Sequence, residues 1–93
     1  MIIATAKITL RAPWVKSLKE KRMVLSSLKE RIKNKFNVSV AEIESQDNHK
    51  IIVLGIAAVC NETSKGDAMI NSVINFIEEN SEAFITDIET EII

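Results

Sequence analysis

The chain has 93 residues, twelve Lys/Arg against thirteen Asp/Glu, and a net charge of −1. This length holds one domain, residues 1–93, and the 46% hydrophobic content supplies one core without a disulfide or metal staple. The single cysteine, Cys60, excludes an intrachain disulfide and a CxxC pair, and the longest uncharged apolar run, Ile51 to Cys60, is too short to span a bilayer. The first ten residues lack a leader pattern, so the expectation is a cytoplasmic domain with no membrane partner.

Residues 2–11 alternate, with Ile2, Ala4, Ala6, Ile8 and Leu10 on one side and Ile3, Thr5, Lys7, Thr9 and Arg11 on the other. A period of two over this length predicts a half-buried strand, ended by Pro13. Ser17-Leu18-Lys19-Glu20 is a capping box, and Leu18, Val24, Leu25, Leu28 and Ile32 mark the apolar stripe of a helix running to about Asn34. Asn34 or Asn37 is the candidate left-handed residue at its end.

Residues 36–45 predict a second strand with Phe36, Val38 and Val40 on one face. Glu42 and Glu44 then fall on the valine side, so either a bulge turns Ala41 and Ile43 inward or the strand runs past the helix layer. Gln46-Asp47-Asn48-His49 is turn chemistry and predicts a hairpin into residues 50–60, apolar on both faces as in a central strand. Ser64 with Asp67 predicts a weaker capping box for a second helix, which reaches about Glu79 with Ile70, Val73, Ile74 and Ile77 inward. Residues 83–92 alternate again, Phe84, Thr86, Ile88, Thr90 and Ile92 against Ile85, Asp87, Glu89 and Glu91.

The order is β-α-β-β-α-β. With right-handed crossovers it predicts an α+β, ferredoxin-like sandwich: one antiparallel four-stranded sheet with both helices on one face.

Three stretches carry a resemblance. Ser17-Leu18-Lys19-Glu20-Lys21-Arg22, then Phe36-Asn37-Val38-Ser39-Val40-Ala41-Glu42, then Leu54-Gly55, at this spacing and length, resemble the YlxP-like family of small bacterial proteins. The resemblance implies a ferredoxin-like fold and carries no assigned catalytic residue. The family's genes often neighbour those for translation initiation and ribosome maturation factors, which implies a link to RNA or ribosomes.

Charge is unevenly distributed along the chain. Residues 1–36 hold ten Lys/Arg and two Glu, a balance of +8, whereas residues 37–93 hold two Lys and eleven acids, a balance of −9. Lys19, Lys21 and Arg22 lie near the start of the first helix, where cations oppose the helix dipole and suit a bound phosphate. Arg22, Lys29 and Lys33 continue as an outward stripe with Ser26 between them. Lys19, Lys21, Arg22, Lys29 and Lys33 are therefore the candidate anion- or RNA-binding residues, against the alternative of a solvated helix neutralised by the acidic strands. Partnership with these cations is also the economical reading of Glu42 and Glu44. An RNA or ribosomal particle is the expected partner, contacted through phosphates and without sequence readout of DNA.

The second candidate is the sheet face left open by the helices, presenting Ile3, Thr5, Lys7 and Thr9 with Val53, Gly55, Ala57 and Val59, the second set fitting the helix side equally because its strand is apolar throughout. It lacks the aromatic residues of a base-stacking surface, and its small apolar residues suit a homodimer, with room for a small ligand at the interface. Trp14 either covers the core edge or contacts a partner. His49 reads as a solvated turn residue and Cys60 as packing. No nucleophile–base pair, metal set or glycine-rich phosphate loop is visible, so neither catalysis nor a cofactor is expected.

Overall fold

The computed structural model describes all 93 residues. Strand β1 (Ile2–Arg11) leads to helix α1 (Leu18–Lys35), the hairpin strands β2 (Ser39–Glu44) and β3 (Ile51–Cys60), helix α2 (Thr63–Asn80) and strand β4 (Phe84–Ile92). The strands form one antiparallel sheet in the order β2-β3-β1-β4, so the two longest strands are central and β2 and β4 are the edges. Both helices cover one face, as the element order predicts. No helix is long and apolar enough to cross a membrane.

The core lies between this sheet face and the helices. Ala4, Ala6, Ile8 and Leu10 of β1 meet Ile52, Leu54 and Ile56 of β3, while Leu25, Leu28 and Ile32 of α1 and Ile70, Val73 and Ile77 of α2 close it from above. β1 and β3 pair throughout, Lys7 opposite Gly55 and Ile8 opposite Leu54, so facing residues share a side. Thr5, Lys7, Gly55 and Ala57 therefore share the open face: alternation predicts it for β1, and the pairing decides it for the wholly apolar β3.

Ser17 caps α1: its hydroxyl accepts from the Glu20 amide at 3.1 Å. The reciprocal bond shifts by one residue, for the Glu20 carboxylate accepts from Lys16 N rather than Ser17 N. The helix ends at Phe36 in extended conformation, and neither Asn34 nor Asn37 is left-handed; Ser45, with φ 59°, is the non-glycine residue in that region. Phe36 is thus not part of the second strand. Its ring packs edge-on against Phe76 of α2, centroids 5.6 Å apart, and pins the ends of the two helices together. α2 begins one residue after Glu62, which places Ser64 inside the helix and leaves the expected Ser64–Asp67 box unformed.

Two bulges reset the edge strands. In β2, Glu42 pairs with Leu54 and Glu44 with Val53, so Ile43 is the extra residue. Glu42 stays on the helix side with Val40, and Glu44 moves to the open face. The bulge thus turns an acid outward instead of turning Ala41 and Ile43 inward. In β4, Thr9 pairs with Asp87 and Leu10 with Ile85, so Thr86 is extra. Its hydroxyl donates to the Thr9 carbonyl at 3.3 Å. Below the bulge the alternation inverts: Ile85 packs on the core and Phe84 is exposed, opposite to the uninterrupted pattern expected for residues 83–92.

Candidate functional site

At about 100° per residue, Leu25, Leu28 and Ile32 centre the buried side of α1. Lys21 falls on the same side and is 2% exposed. Its ammonium donates to the carbonyls of Ser45 at 2.8 Å and Asn48 at 2.7 Å and lies 2.7 Å from Glu42 Oε2. The Glu42 contact has the geometry of an ion pair rather than a hydrogen bond, and Oε2 has no hydrogen-bond partner in the protein. Lys21 is therefore a correction to the anion-binding set: it ties the β2–β3 loop to α1 and offers nothing to a ligand outside.

Lys19, Arg22, Lys29 and Lys33 remain together on one flank of α1, within roughly 80° of its circumference, with Ser26 between them. Lys19, Arg22 and Lys33 are exposed and Lys29 half-buried. The opposite flank meets α2, where Arg31 donates to the Asn80 carbonyl at 2.7 Å. The basic flank thus lies on the β2 side of the domain. The chain's ion pairs are Lys7–Glu44, Lys7–Glu89 and Lys21–Glu42, so none of the four flank cations has a carboxylate within 4.0 Å.

Four of the thirteen acids lie on the other side of the sheet. Asp87, Glu89 and Glu91 share the open face with Thr9, Lys7 and Thr5, their partners on β1. Glu44 arrives there through the β2 bulge. A shallow trough of about 650 Å³ runs between β2 and β4, with Ala41, Ile43, Gly55 and Ala57 as its apolar part and Glu89 and Glu91 along one wall. Ile43 lies directly over Gly55: a Cβ on Gly55 would stand 2.7 Å from Ile43 Cγ2. Lys7 rises from the middle, 2.8 Å from Glu44 and 3.7 Å from Glu89. The hydrogen bond to Glu44 is the largest influence that holds its ammonium above the ordinary lysine pKa.

The expectation of a small-residue apolar face is met in the trough and at the Ile3–Val59 end of the same face, where Val59 is 71% exposed, while Lys7, Glu89 and Glu91 line the trough and Glu44 and Asp87 share its face. Sequence alternation missed Glu44 because the bulge that moves it is set by pairing with β3. Partnership of both Glu42 and Glu44 with α1 holds for Glu42 alone. Trp14 is 37% exposed beside the start of α1, and His49 is half-buried in the hairpin loop.

Comparison with known proteins agrees with this architecture. The de novo designed protein LFR1 1 with ferredoxin fold superposes with a TM-score of 0.60 at 12% identity, covering 99% of this chain and 85% of that one. A second designed protein, Foldit4, superposes with a TM-score of 0.52 at 12% identity, covering 99% and 94%. Such identities show the fold and nothing more. In sequence, the chain is 41% identical over 75 residues to the uncharacterized protein YlxP of Bacillus subtilis (strain 168), covering 81% of this chain and 82% of that protein. The family model described as a protein of unknown function, DUF503, matches residues 3–90. With that match over nearly its whole length, the chain belongs to the DUF503 family, the family of YlxP.

Proposed function

We propose that the protein is a small non-enzymatic RNA-associated domain that holds a phosphate backbone along the β2-side flank of α1. Lys19, Arg22, Lys29 and Lys33 are the contacting residues. The observation that carries this reading is that all four lack a carboxylate partner, although the chain holds thirteen acids. Neutralisation inside the fold accounts for Lys21 and Lys7 and for no cation of the flank. The acids of the open face, Glu44, Asp87, Glu89 and Glu91, lie across the sheet from this flank, so they do not screen it from an approaching polyanion. Cations in one row along a helix position a backbone without reading bases.

The test is binding of RNA and of ribosomal particles at increasing salt, for wild type and Arg22→Glu/Lys29→Glu. Wild-type affinity falls steeply with salt and the double variant does not bind. Wild-type binding that is absent at low salt, or a double variant that binds unchanged, overturns the reading. A two-fold homodimer through the open face has less support, because each copy would bring its acids against the other's.

A further inference from the structure

β4 is an edge strand of nine residues with neither proline nor lysine to guard it. Its hydrogen-bonding phase follows from one pair: Ile3 and Ile93 exchange two backbone bonds, at 3.0 and 2.9 Å. In an antiparallel ladder the pattern alternates, so Asp87, Glu89 and Glu91 point their amides and carbonyls at β1. The Thr5 hydroxyl on the Glu91 carbonyl agrees with this phase. Ile88, Thr90 and Ile92 therefore point theirs outward, away from the sheet. Their side chains lie on the helix face, where α2 approaches Ile92 at Gly66 but leaves the edge partly open, for Ile88 and Ile92 are each 38% exposed. The edge thus combines a row of outward backbone groups, two partly exposed isoleucines on one face and three acids on the other.

The geometry points to a docking edge for an extended protein segment of alternating basic and apolar residues, added to β4 as a fifth strand. The incoming strand's apolar residues pair by hydrogen bonds with Ile88, Thr90 and Ile92 and cover the isoleucines. Its lysines or arginines fall opposite Asp87, Glu89 and Glu91 in the non-hydrogen-bonded positions, where side chains approach more closely. Charge selects this occupant. A second copy of the chain offers its own edges, β2 with Glu42 and Glu44 and β4 with its three acids, and like charges opposite one another oppose pairing. The same acids that keep copies apart attract a basic strand. A polyanion is repelled here, so this edge and the basic flank of α1 serve partners of opposite sign.

The probe is a synthetic peptide of about six residues alternating lysine and valine, titrated into the isotope-labelled full chain, beside a peptide of the same composition with lysines and valines in separate blocks. The alternating peptide shifts the Ile88, Thr90 and Ile92 amides saturably and binds more tightly than the blocked one. Thr90→Pro removes an outward N–H while keeping every charge and every bond to β1, and weakens binding about tenfold. Glu89→Gln/Glu91→Gln, which leaves the backbone untouched, weakens it and flattens its salt dependence. Equal binding of the two peptides, shifts that fall elsewhere, or unchanged affinity in Glu89→Gln/Glu91→Gln overturns the proposal, whether or not the α1 flank binds RNA.

Discussion

The ammonium of Lys21 and the carboxylate of Glu42 meet 2.7 Å apart, one from the buried side of α1 and the other from the helix-facing side of β2. This contact decides how the rest of helix α1 is used. It removes one lysine from the surface and engages Glu42, the acid that β2 turns toward the helices, so that no carboxylate comes within 4.0 Å of a flank cation, although Glu30 shares that surface of α1. The ammonium also accounts for the shape of the following loop. Its two carbonyl acceptors, Ser45 and Asn48, lie on either side of the hairpin turn, and Ser45 is held at φ 59°.

Lys21→Met therefore destabilises the fold strongly. The change keeps the volume of the chain but leaves Glu42 and two carbonyls without their cation. Breaking a buried pair from one side costs about 3–5 kcal/mol. Urea unfolding reads this as a lower midpoint with an unchanged slope. The double change Lys21→Met/Glu42→Leu recovers part of the loss, because no unpaired carboxylate then remains. A single variant as stable as wild type would remove Lys21 from its structural role.

Gly66→Ala has an expected sign opposite to helix propensity. At an exposed helical site alanine is favoured over glycine by roughly 0.5–1 kcal/mol. At Gly66 the added Cβ stands 2.9 Å from the Ala4 Cβ, with Ile92 at 3.6 Å and Cys60 at 3.7 Å. Ala4 has no rotamer to yield, so α2 must lift from β1, at about 1–3 kcal/mol. Gly55→Ala meets Ile43 Cγ2 at 2.7 Å, a closer contact, but Ile43 is 43% exposed on a bulge and can swing away. Thermal unfolding of the two variants ranks Gly66→Ala as the less stable. The reverse order would place the tighter packing under the open face.

These two contacts mark where sequence patterns inform and where they stop. The fold was legible because each element carries a clean period: two in β1, 3.6 in the helices, and a wholly apolar β3 between them. Lys21 was legible in principle, since Leu18, Lys21, Leu25, Leu28 and Ile32 follow the three–four spacing of a buried stripe and a lysine there requires an internal acceptor. The bulges at Ile43 and Thr86 were not. Each is defined by two residues facing one on a neighbouring strand, and no single strand records its partner's count. They placed Glu44 on the open face and inverted Phe84 and Ile85, so the acidic character of the sheet emerges only on folding. The basic flank was readable by helical spacing, but its lack of partners depends on where every acid ends up.

Lys7 gives a prediction in pH. Its pKa is raised above the ordinary value of 10.5, chiefly by the hydrogen bond to Glu44, while partial desolvation works the other way. A base whose pKa is higher in the folded than in the unfolded chain contributes stability that is fully present below the unfolded value and is lost as pH rises through the folded one. The stability difference between wild type and Lys7→Met is thus constant from neutral pH up to the approach to 10.5 and declines above it. Denaturation midpoints across that range test the sign, and the Lys7 Cε resonance titrates later than that of a lysine in an unstructured peptide. A difference that grows with alkaline pH would mean that Lys7 loses more than it gains from its two glutamates.

The two flanks of α1 supply the sharpest control on RNA binding, because they carry the same charge on the same helix. Lys19, Arg22, Lys29 and Lys33 lie on the β2 side without partners, whereas Arg31 is engaged with the Asn80 carbonyl and Lys35 stands 5.1 Å above the Phe76 ring. Each phosphate contact to a single strand contributes about 0.7 to the slope of log affinity against log salt. Alanine at any of the four flank residues therefore lowers that slope by roughly 0.7, and alanine at Arg31 or Lys35 leaves it unchanged. Lys21→Met, where enough of it is folded, also leaves the slope unchanged, since its ammonium faces Glu42. Equal reductions from both flanks would show that net charge attracts RNA and that no docked orientation exists. A reduction confined to the β2 side fixes the face on which the backbone lies.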